Sequence, residues 1–517
     1  MKRQSRRRWL EGIAAAGVAP LSACDGPRVP FDAEPVRFDH GVASGDPTPD
    51  SVILWTRVTT GAADDVELAL EIGEDPNLTR ITRRASAVAL ADRDHTAKTE
   101  LGELEAATSY YYRFRAGRAL SPIGRFRTTE QGELGRLRLA VVSCSSFAHG
   151  YFHAYREIAA RPDLDAVVHL GDYIYESGSG TFGSERELDP DHECVSLDDY
   201  RRRYRHYRAD PDLLELHRQH TVIAVWDDHE VANDAWVGGS PNHDPEREGD
   251  WLARRAAAMR AYHEWMPVRE ARDGRLQRAV SFGTLADLVL IDTRHWGRSE
   301  PVANPDEAAL GDADRSILGA DQEAWLTEQL GASRAAWKLI GNQVMMTQLS
   351  ILYNADAWDG YPASRRRLLS FIGEREIAGV VVLTGDIHMS WASELALDPE
   401  DQESYDPETS EGAVAVEFTT PAVTSPGLTE EAAELAEPVV LEAPHVRYAE
   451  LSSRGYLLID VDADRLLAEY YHFERVDRRT ATSRLASVWR VAPNRARLAP
   501  EEEASTPPEG APVLASG

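Results

Sequence analysis

The chain has 517 residues, 43% of them hydrophobic and 8% aromatic, enough for a full core and more than one average domain. A formal net charge of −30 argues against a nucleic-acid coat or an anionic membrane surface as partner, and fits an acidic solvated surface or a collector of divalent cations. No apolar stretch is long enough to span a bilayer.

Residues 1–24 read as an export signal. Ser5-Arg6-Arg7-Arg8-Trp9-Leu10 has the twin-arginine pattern, with Trp9 where such signals usually carry Phe, and the run that follows is short and rich in Ala and Gly. Leu21-Ser22-Ala23-Cys24 resembles a lipobox, which would make a lipid on Cys24 the one membrane contact; an ordinary cleaved signal is the plainer alternative. The expected location is periplasmic or at the cell surface. In that oxidising setting Cys144 and Cys194 either pair as a disulfide or one is held as a thiolate by a metal.

After a linker at 26–35, residues 36–130 alternate in β fashion through "SVILWTRV", "VELALEIG" and "SYYYRFRAG", which predicts an N-terminal β-sandwich of fibronectin or immunoglobulin type. From 135 to 495 strands alternate with helices, the signature of an α/β domain. Predicted strands are "LRLAVVSCSS", "DAVVHLGDYIYE", "HTVIAVWDDHE", "DLVLIDTR", "WKLIGNQ" and "GVVVLTGDIHMSW", with "AVAVEFTT", "GYLLIDVDA" and "LLAEYYHFERV" closing the fold antiparallel. Helices are expected at 151–160, 250–265, 321–331 and 364–376. The arginine-rich stretch 198–208 reads as a solvated helix face. The tail 496–517, rich in Pro, Glu and Ser, predicts disorder.

Four strands end in metal-capable residues: Val141-Val142-Ser143-Cys144, Leu170-Gly171-Asp172-Tyr173-Ile174-Tyr175, Val225-Trp226-Asp227-Asp228-His229-Glu230 and Leu383-Thr384-Gly385-Asp386-Ile387-His388. In open α/β sheets functional groups gather outside the carboxyl ends of strands. One such ending is commonplace. Four are hard to explain by packing, because buried Asp and His are costly unless paired or coordinated.

These runs resemble the calcineurin-like metallophosphoesterases and, within them, the PhoD-type alkaline phosphatases. The match is carried by "GVASGDP", "ILWTRV", "SC" at 143–144, "GDYIYE", "WDDHEVANDAW", "IDTR", "GNQVM", "WDGYP", "LTGDIHMSW" and "EFTTPAVTSPG", in family order along nearly the whole chain after the signal. The resemblance implies an α/β metallophosphoesterase core of two β-sheets flanked by helices. It implies Fe3+ held by Cys144, Asp172, Tyr175 and His388, with Cys144 free of Cys194; a phenol ionises at neutral pH only against a strongly Lewis-acidic ion. Asp228 stands where the wider superfamily has Asn, and Asp386 where it has His, so hard oxygen ligands suit one or two Ca2+ ions bridged through Asp172; Zn2+ or Mn2+ would also fit such donors.

The activity implied is hydrolysis of phosphomonoesters, and of phosphodiesters, with metal-activated hydroxide attacking phosphorus in line and His229 protonating the leaving oxygen. Asn233, Arg294 and Arg205 are candidates to contact phosphate; for Asn233 a turn, and for each Arg a structural salt bridge, is the plainer reading. Substrates would be small phosphate esters, phospholipids or nucleotides among them, and the protein a monomer. Two rivals stand beside this: a phospholipase D-like phosphodiesterase, and a non-catalytic surface lipoprotein binding phosphate or calcium. The second would need neither Cys144 with Tyr175 nor His229.

Overall fold

The computed structural model describes residues 36–349 and 353–517, so the export signal with Cys24 lies outside the described residues. Two large sheets face each other. The first has ten strands, and its parallel centre is Leu137–Val142, Ala166–His169 and Thr221–Ala224. Arg454–Val461 and three further strands extend it on one side. The second has seven strands, with Ala286–Leu290, Trp337–Gly341, Val380–Thr384 and Ala413–Thr419 running parallel.

Strand periodicity explains why both faces of the second sheet are apolar. Successive side chains point to opposite faces. Val381 and Leu383 therefore join the core shared with the first sheet, together with Leu288, Leu339 and Phe418. Val380 and Val382 point the other way, onto Leu326 and Leu330 of helix Ala320–Ala332 and Leu368 and Leu369 of helix Pro362–Glu374. A strand covered on both faces reads as the unbroken run "VVVLT". Helices His153–Ala159, Leu197–Tyr207, Pro211–Gln219 and Trp251–Trp265 add Tyr155, Tyr204, Leu213 and Trp265 to the core of the first sheet.

The N-terminal region is layered as a sandwich, but one layer is not its own. Val42–Gly45, Val52–Arg57 and Thr96–Leu101 complete the ten-stranded sheet, Val42–Gly45 pairing parallel with Thr221–Ala224. A five-stranded sheet containing Val66–Gly73 and Ser109–Ala116 packs over them through Leu54, Leu70, Tyr112 and Phe126. The apolar alternation predicts the strands and is silent about which sheet receives them.

Four other expectations need correction. The predicted strand through "GVVVLTGDIHMSW" is two strands, Val380–Thr384 and Ser390–Ala396, and the turn between them carries Asp386 and His388. Ala413–Thr419 is antiparallel to Ser390–Ala396 but parallel to Val380–Thr384. The arginine-rich helix is not a solvated face: Arg203 and Arg208 are fully buried, and Arg203 donates to the Tyr175 and Ser177 carbonyls.

The tail is ordered. Arg495–Glu501 is a strand on the edge of the first sheet. Beyond it side chains supply the partners that a sheet would: Glu469 accepts the Ser505 N–H at 2.7 Å, and Gln219 accepts that of Ala515 at 2.8 Å. Composition measured the tail's poverty in apolar residues, not these acceptors waiting on the domain.

Candidate metal centre

The candidate ligands are aimed by sharp turns rather than by strands. Cys144, Asp172, Asp386 and His388 have φ of 60°, 52°, 64° and 63°. Non-glycine residues in this left-handed region cost of order 1–3 kcal/mol each and persist where the surroundings over-determine them. Four such residues at one end of two facing sheets show where the fold stores strain. The sheets are joined there: Ser143 bridges Ala422, and the Ser425 N–H donates to the Cys144 carbonyl at 3.2 Å.

The turns converge. Three sets have donor atoms within 4.8 Å of one another: Cys144, Asp172 and His388; Asp172, Asp228 and His229; Asp227, Asp228 and Asp386. Asp172 belongs to the first two and Asp228 to the last two, so the sets form one chain of potential ligands. The Tyr175 hydroxyl lies 3.0 Å from both Asp172 Oδ2 and His388 Nε2, and accepts from Ser425 Oγ at 2.6 Å. His388 Nδ1 donates to the Pro426 carbonyl at 2.7 Å, which leaves Nε2 as the lone-pair nitrogen facing the tyrosine. Cys144 and Cys194 are separate buried thiols.

Electrostatics show what this cluster lacks. Burial, reinforced by neighbouring anions, pushes the Cys144 thiol, the Tyr175 phenol and the Asp172 and Asp386 carboxyls well above their usual ranges. Burial also raises Asp227 to about 7, although Arg294 pulls against it. Asp228 is held low despite its burial, because Arg294 and His229 outweigh it. Asp227 Oδ2 is buried without a hydrogen-bond partner. Buried anions demand cations or metal ions. Arg294 and His229 are the cations in contact, fewer than the acids they face, so the donor set fits bound metal.

His229 is built as a proton-carrying group. Its Nδ1 donates to Glu176 Oε2 at 2.7 Å, and Glu176 Oε1 accepts the Asn233 N–H at 2.8 Å. The ring lies against Tyr175 at 4.2 Å between centroids and meets Phe182 edge-on at 4.9 Å. Burial alone would lower its pKa; Glu176, Asp228 and Asp172 reverse that and raise it well above the usual value. Glu230 accepts the N–H groups of Asp172, Tyr173 and Asp227 at 3.1, 2.6 and 2.8 Å, which locks two ligand turns together.

Two residues expected to contact phosphate are engaged elsewhere. Arg294 is fully buried and bonds Asp227, Asp356 at 2.6 Å and Asp386 at 2.9 Å, so it is a counterion within the ligand cluster. Arg205 is held by both oxygens of Asp94 at 3.0 and 3.1 Å, an ion pair to the N-terminal region. Asn233 is half-buried, and its side chain makes no hydrogen bond among the described residues, which leaves its amide free for a ligand.

Sequence reasoning missed Asp227, Glu176, Glu230 and Ser425. Asp227 and Glu230 flank the named Asp228-His229 pair, and Glu176 ends "GDYIYE"; a rule that charged residues beside ligands serve them would have found all three. Ser425 left no signal beyond its place in "TSPG".

The model for PhoD-like phosphatases matches residues 139–470, and that for their N-terminal domain matches 24–130. With the curated relative that follows, these matches make the protein a phosphoric ester hydrolase. The chain belongs to the PhoD-like phosphatase family. It is 35% identical over 460 residues to alkaline phosphatase D of Bacillus subtilis (strain 168), spanning 84% of this chain and 77% of that protein. A solved structure described as "Structure of PhoD" superposes with a TM-score of 0.84 at 32% identity, covering 93% of this chain and 94% of the other.

Proposed function

We propose that this phosphatase is exported and releases phosphate from monoesters and diesters outside the cytoplasm, at a centre of Fe3+ and one or two Ca2+ ions. One observation carries the reading: thiol, phenol and imidazole meet at a carboxylate, Asp172, that a second, all-oxygen set shares. Cys144, Tyr175, Asp172 and His388 would hold the iron, three anionic donors and a neutral imidazole suiting a trivalent ion. Asp172, Asp228 and Asp386, with Asp227 alongside, would hold the calcium, since hard oxygen donors suit it. Cations there supply Lewis acidity, which activates water and neutralises charge on the phosphoryl oxygens.

The chain's own residues supply the rest. Glu176 keeps the proton on His229 Nδ1, and the rings of Tyr175 and Phe182 fix the imidazole plane, so Nε2 is the nitrogen presented to substrate. As an imidazolium, His229 gives its Nε2 proton to the ester oxygen as the P–O bond breaks. Arg294 holds Asp227 and Asp386 in place, and the Asn233 amide is available to a phosphoryl oxygen.

The phospholipase D-like alternative has one observation in its favour. An apolar cavity of about 290 Å³, lined by Met345, Ile387, Met389, Trp391 and Leu428, lies against the Asp386–His388 turn and has room for part of an acyl chain. A non-catalytic lipoprotein gives no account of the His229–Glu176 pair. Metal analysis with a visible spectrum, joined to assays on p-nitrophenyl phosphate, its diester and phosphatidylcholine, tests the proposal. Iron with a thiolate or phenolate charge-transfer band and monoester turnover is expected. A colourless, iron-free, active enzyme overturns the metal assignment, and turnover of phosphatidylcholine alone overturns the substrate.

A further inference from the structure

Arg294 and Arg205 are both saturated by carboxylates, so neither meets the anionic oxygens of an ester. Arg454 differs. It opens the strand Arg454–Val461, which runs antiparallel to Leu137–Val142 with Leu457 opposite Val141. That register carries Arg454 to the level of Cys144. There the strands part around Ala422, which bridges Ser143 and accepts the Gly455 N–H at 2.9 Å. A Cβ on Gly427 would lie 3.0 Å from the Leu451 carbonyl, 3.1 Å from the His388 carbonyl and 3.3 Å from Arg454 Nη1, so the guanidinium and the His388 backbone border the same small space, which a glycine leaves open.

The partners of Arg454 are few. Nη1 donates to the Ser452 carbonyl, Nε is buried with no partner, and among the described residues no carboxylate lies within 4.0 Å. Glu450, the carboxylate acting on it, is engaged by Ser452 and Ser453 at 2.8–3.3 Å. Tyr175, His388 and His149 also face it; burial, with Arg454 adding to it, lowers His149 to about 4. Burial pulls Arg454 itself down to about 10, which still leaves it cationic at neutral pH. A half-buried, unpaired guanidinium beside a ligand cluster is a costly arrangement unless an anion arrives to meet it.

We infer that Arg454 is the arginine that binds the phosphate of substrate and product, its planar fork receiving an anionic oxygen of the group held at the metal centre. This rests on the phosphoesterase reading of the site and names a residue that the strand-end motifs do not contain.

Inorganic phosphate is the probe. Its inhibition constant against p-nitrophenyl phosphate turnover is measured on metal-loaded wild type, Arg454→Gln and Arg454→Lys, with iron and calcium content determined for each. With metal content unchanged, the inhibition constant and KM are expected to rise together by roughly 10- to 100-fold in Arg454→Gln, as for loss of a charge-assisted hydrogen bond, and by less in Arg454→Lys. Unchanged phosphate inhibition in Arg454→Gln overturns the inference. If that variant loses metal, Arg454→Lys decides, with unchanged inhibition or metal loss there also counting against a ligand role. A wild type that neither turns over the ester nor responds to phosphate would instead overturn the phosphoesterase reading itself.

Discussion

The two halves of the centre bury similar numbers of acids but face them with different neighbours. Around Cys144, Tyr175 and His388 most direct hydrogen-bond partners are neutral, Ser143 Oγ at 3.1 Å from the sulfur, Ser425 Oγ on the phenol and the Pro426 carbonyl on the imidazole, with the Asp172 carboxylate the charged exception. Around Asp227, Asp228 and Asp386 stands Arg294, with bonds or close approaches to all three. Burial, with Asp172 adding to it, pushes the Cys144 thiol and the Tyr175 phenol up; in the second half burial likewise pushes Asp386 and Asp227 up, but Arg294 and His229 hold Asp228 low. On the proposed assignment the first half needs an ion acidic enough to take protons from sulfur and phenol, whereas the second starts with one carboxylate, Asp228, already ionised near Arg294.

The residue common to both ligand sets gives the largest expected effect. Asp172→Ala removes a donor from each, and activity is expected to fall to background with loss of both metals, read by elemental analysis. Cys144→Ala should separate the halves by losing iron and its visible band while calcium is retained. Loss of both metals in Cys144→Ala would mean that the halves do not bind independently, and the contrast would fail.

Next comes His229, the proposed proton donor, which lies against the Tyr175 ring and beside Asp228. His229→Ala is expected to lower kcat by roughly 10²–10⁴ with metal retained. Glu176→Gln keeps a hydrogen-bonding side chain but not the charge that fixes Nδ1–H, and a loss of roughly 10- to 100-fold is expected, as for other residues that orient a functional histidine. Both losses should be larger for alkyl phosphates than for p-nitrophenyl phosphate, because the poorer leaving group depends more on protonation. Equal losses on the two ester classes would remove His229 from the acid role.

Arg294 tests the other half directly. In Arg294→Met the metal-free protein keeps Asp227, Asp228 and Asp386 but loses their shared counterion, and a destabilisation of about 3–5 kcal/mol is expected for breaking a buried ion network. Calcium should restore much of it by taking over the positive charge. Denaturant melts with and without calcium measure this. A variant as stable as wild type without metal would show that Arg294 is not the counterion.

The split between what the sequence displays and what it conceals follows the same physical line. Ligand types sit in short runs at strand ends, and each run needs only its own turn to expose them, so Cys144, Asp172, Tyr175, Asp228, Asp386 and His388 are legible one motif at a time. Pairings between charged groups are not local. Glu176 meets His229 across 53 residues, Arg294 meets Asp386 across 92, and Arg205 meets Asp94 across 111. Arginine chemistry suits phosphate and carboxylate equally, so residue type alone could not tell which anion each one meets. The same holds for the tail, whose order depends on Glu469 and Gln219, 36 and 296 residues away.

The smallest effect supplies a baseline from outside both halves. His220 is buried beneath helix His153–Ala159, its Nε2 donating to the Ile158 carbonyl at 2.9 Å. Burial, aided by Arg125, lowers it from 6.5 to about 3. The unfolded chain therefore binds a proton between those values that the folded chain does not. Stability should fall as pH drops below about 6.5 and keep falling until about 3, with a slope of about 1.4 kcal/mol per pH unit from this residue. His220→Gln keeps a donor for Ile158 without the titration, so its stability should decline less steeply between pH 6 and 4, read by urea melts on metal-free protein. Acid sensitivity that persists unchanged in that variant would remove His220 from the titrating set and assign the sensitivity to other imidazoles lowered by burial, such as His169 at about 3.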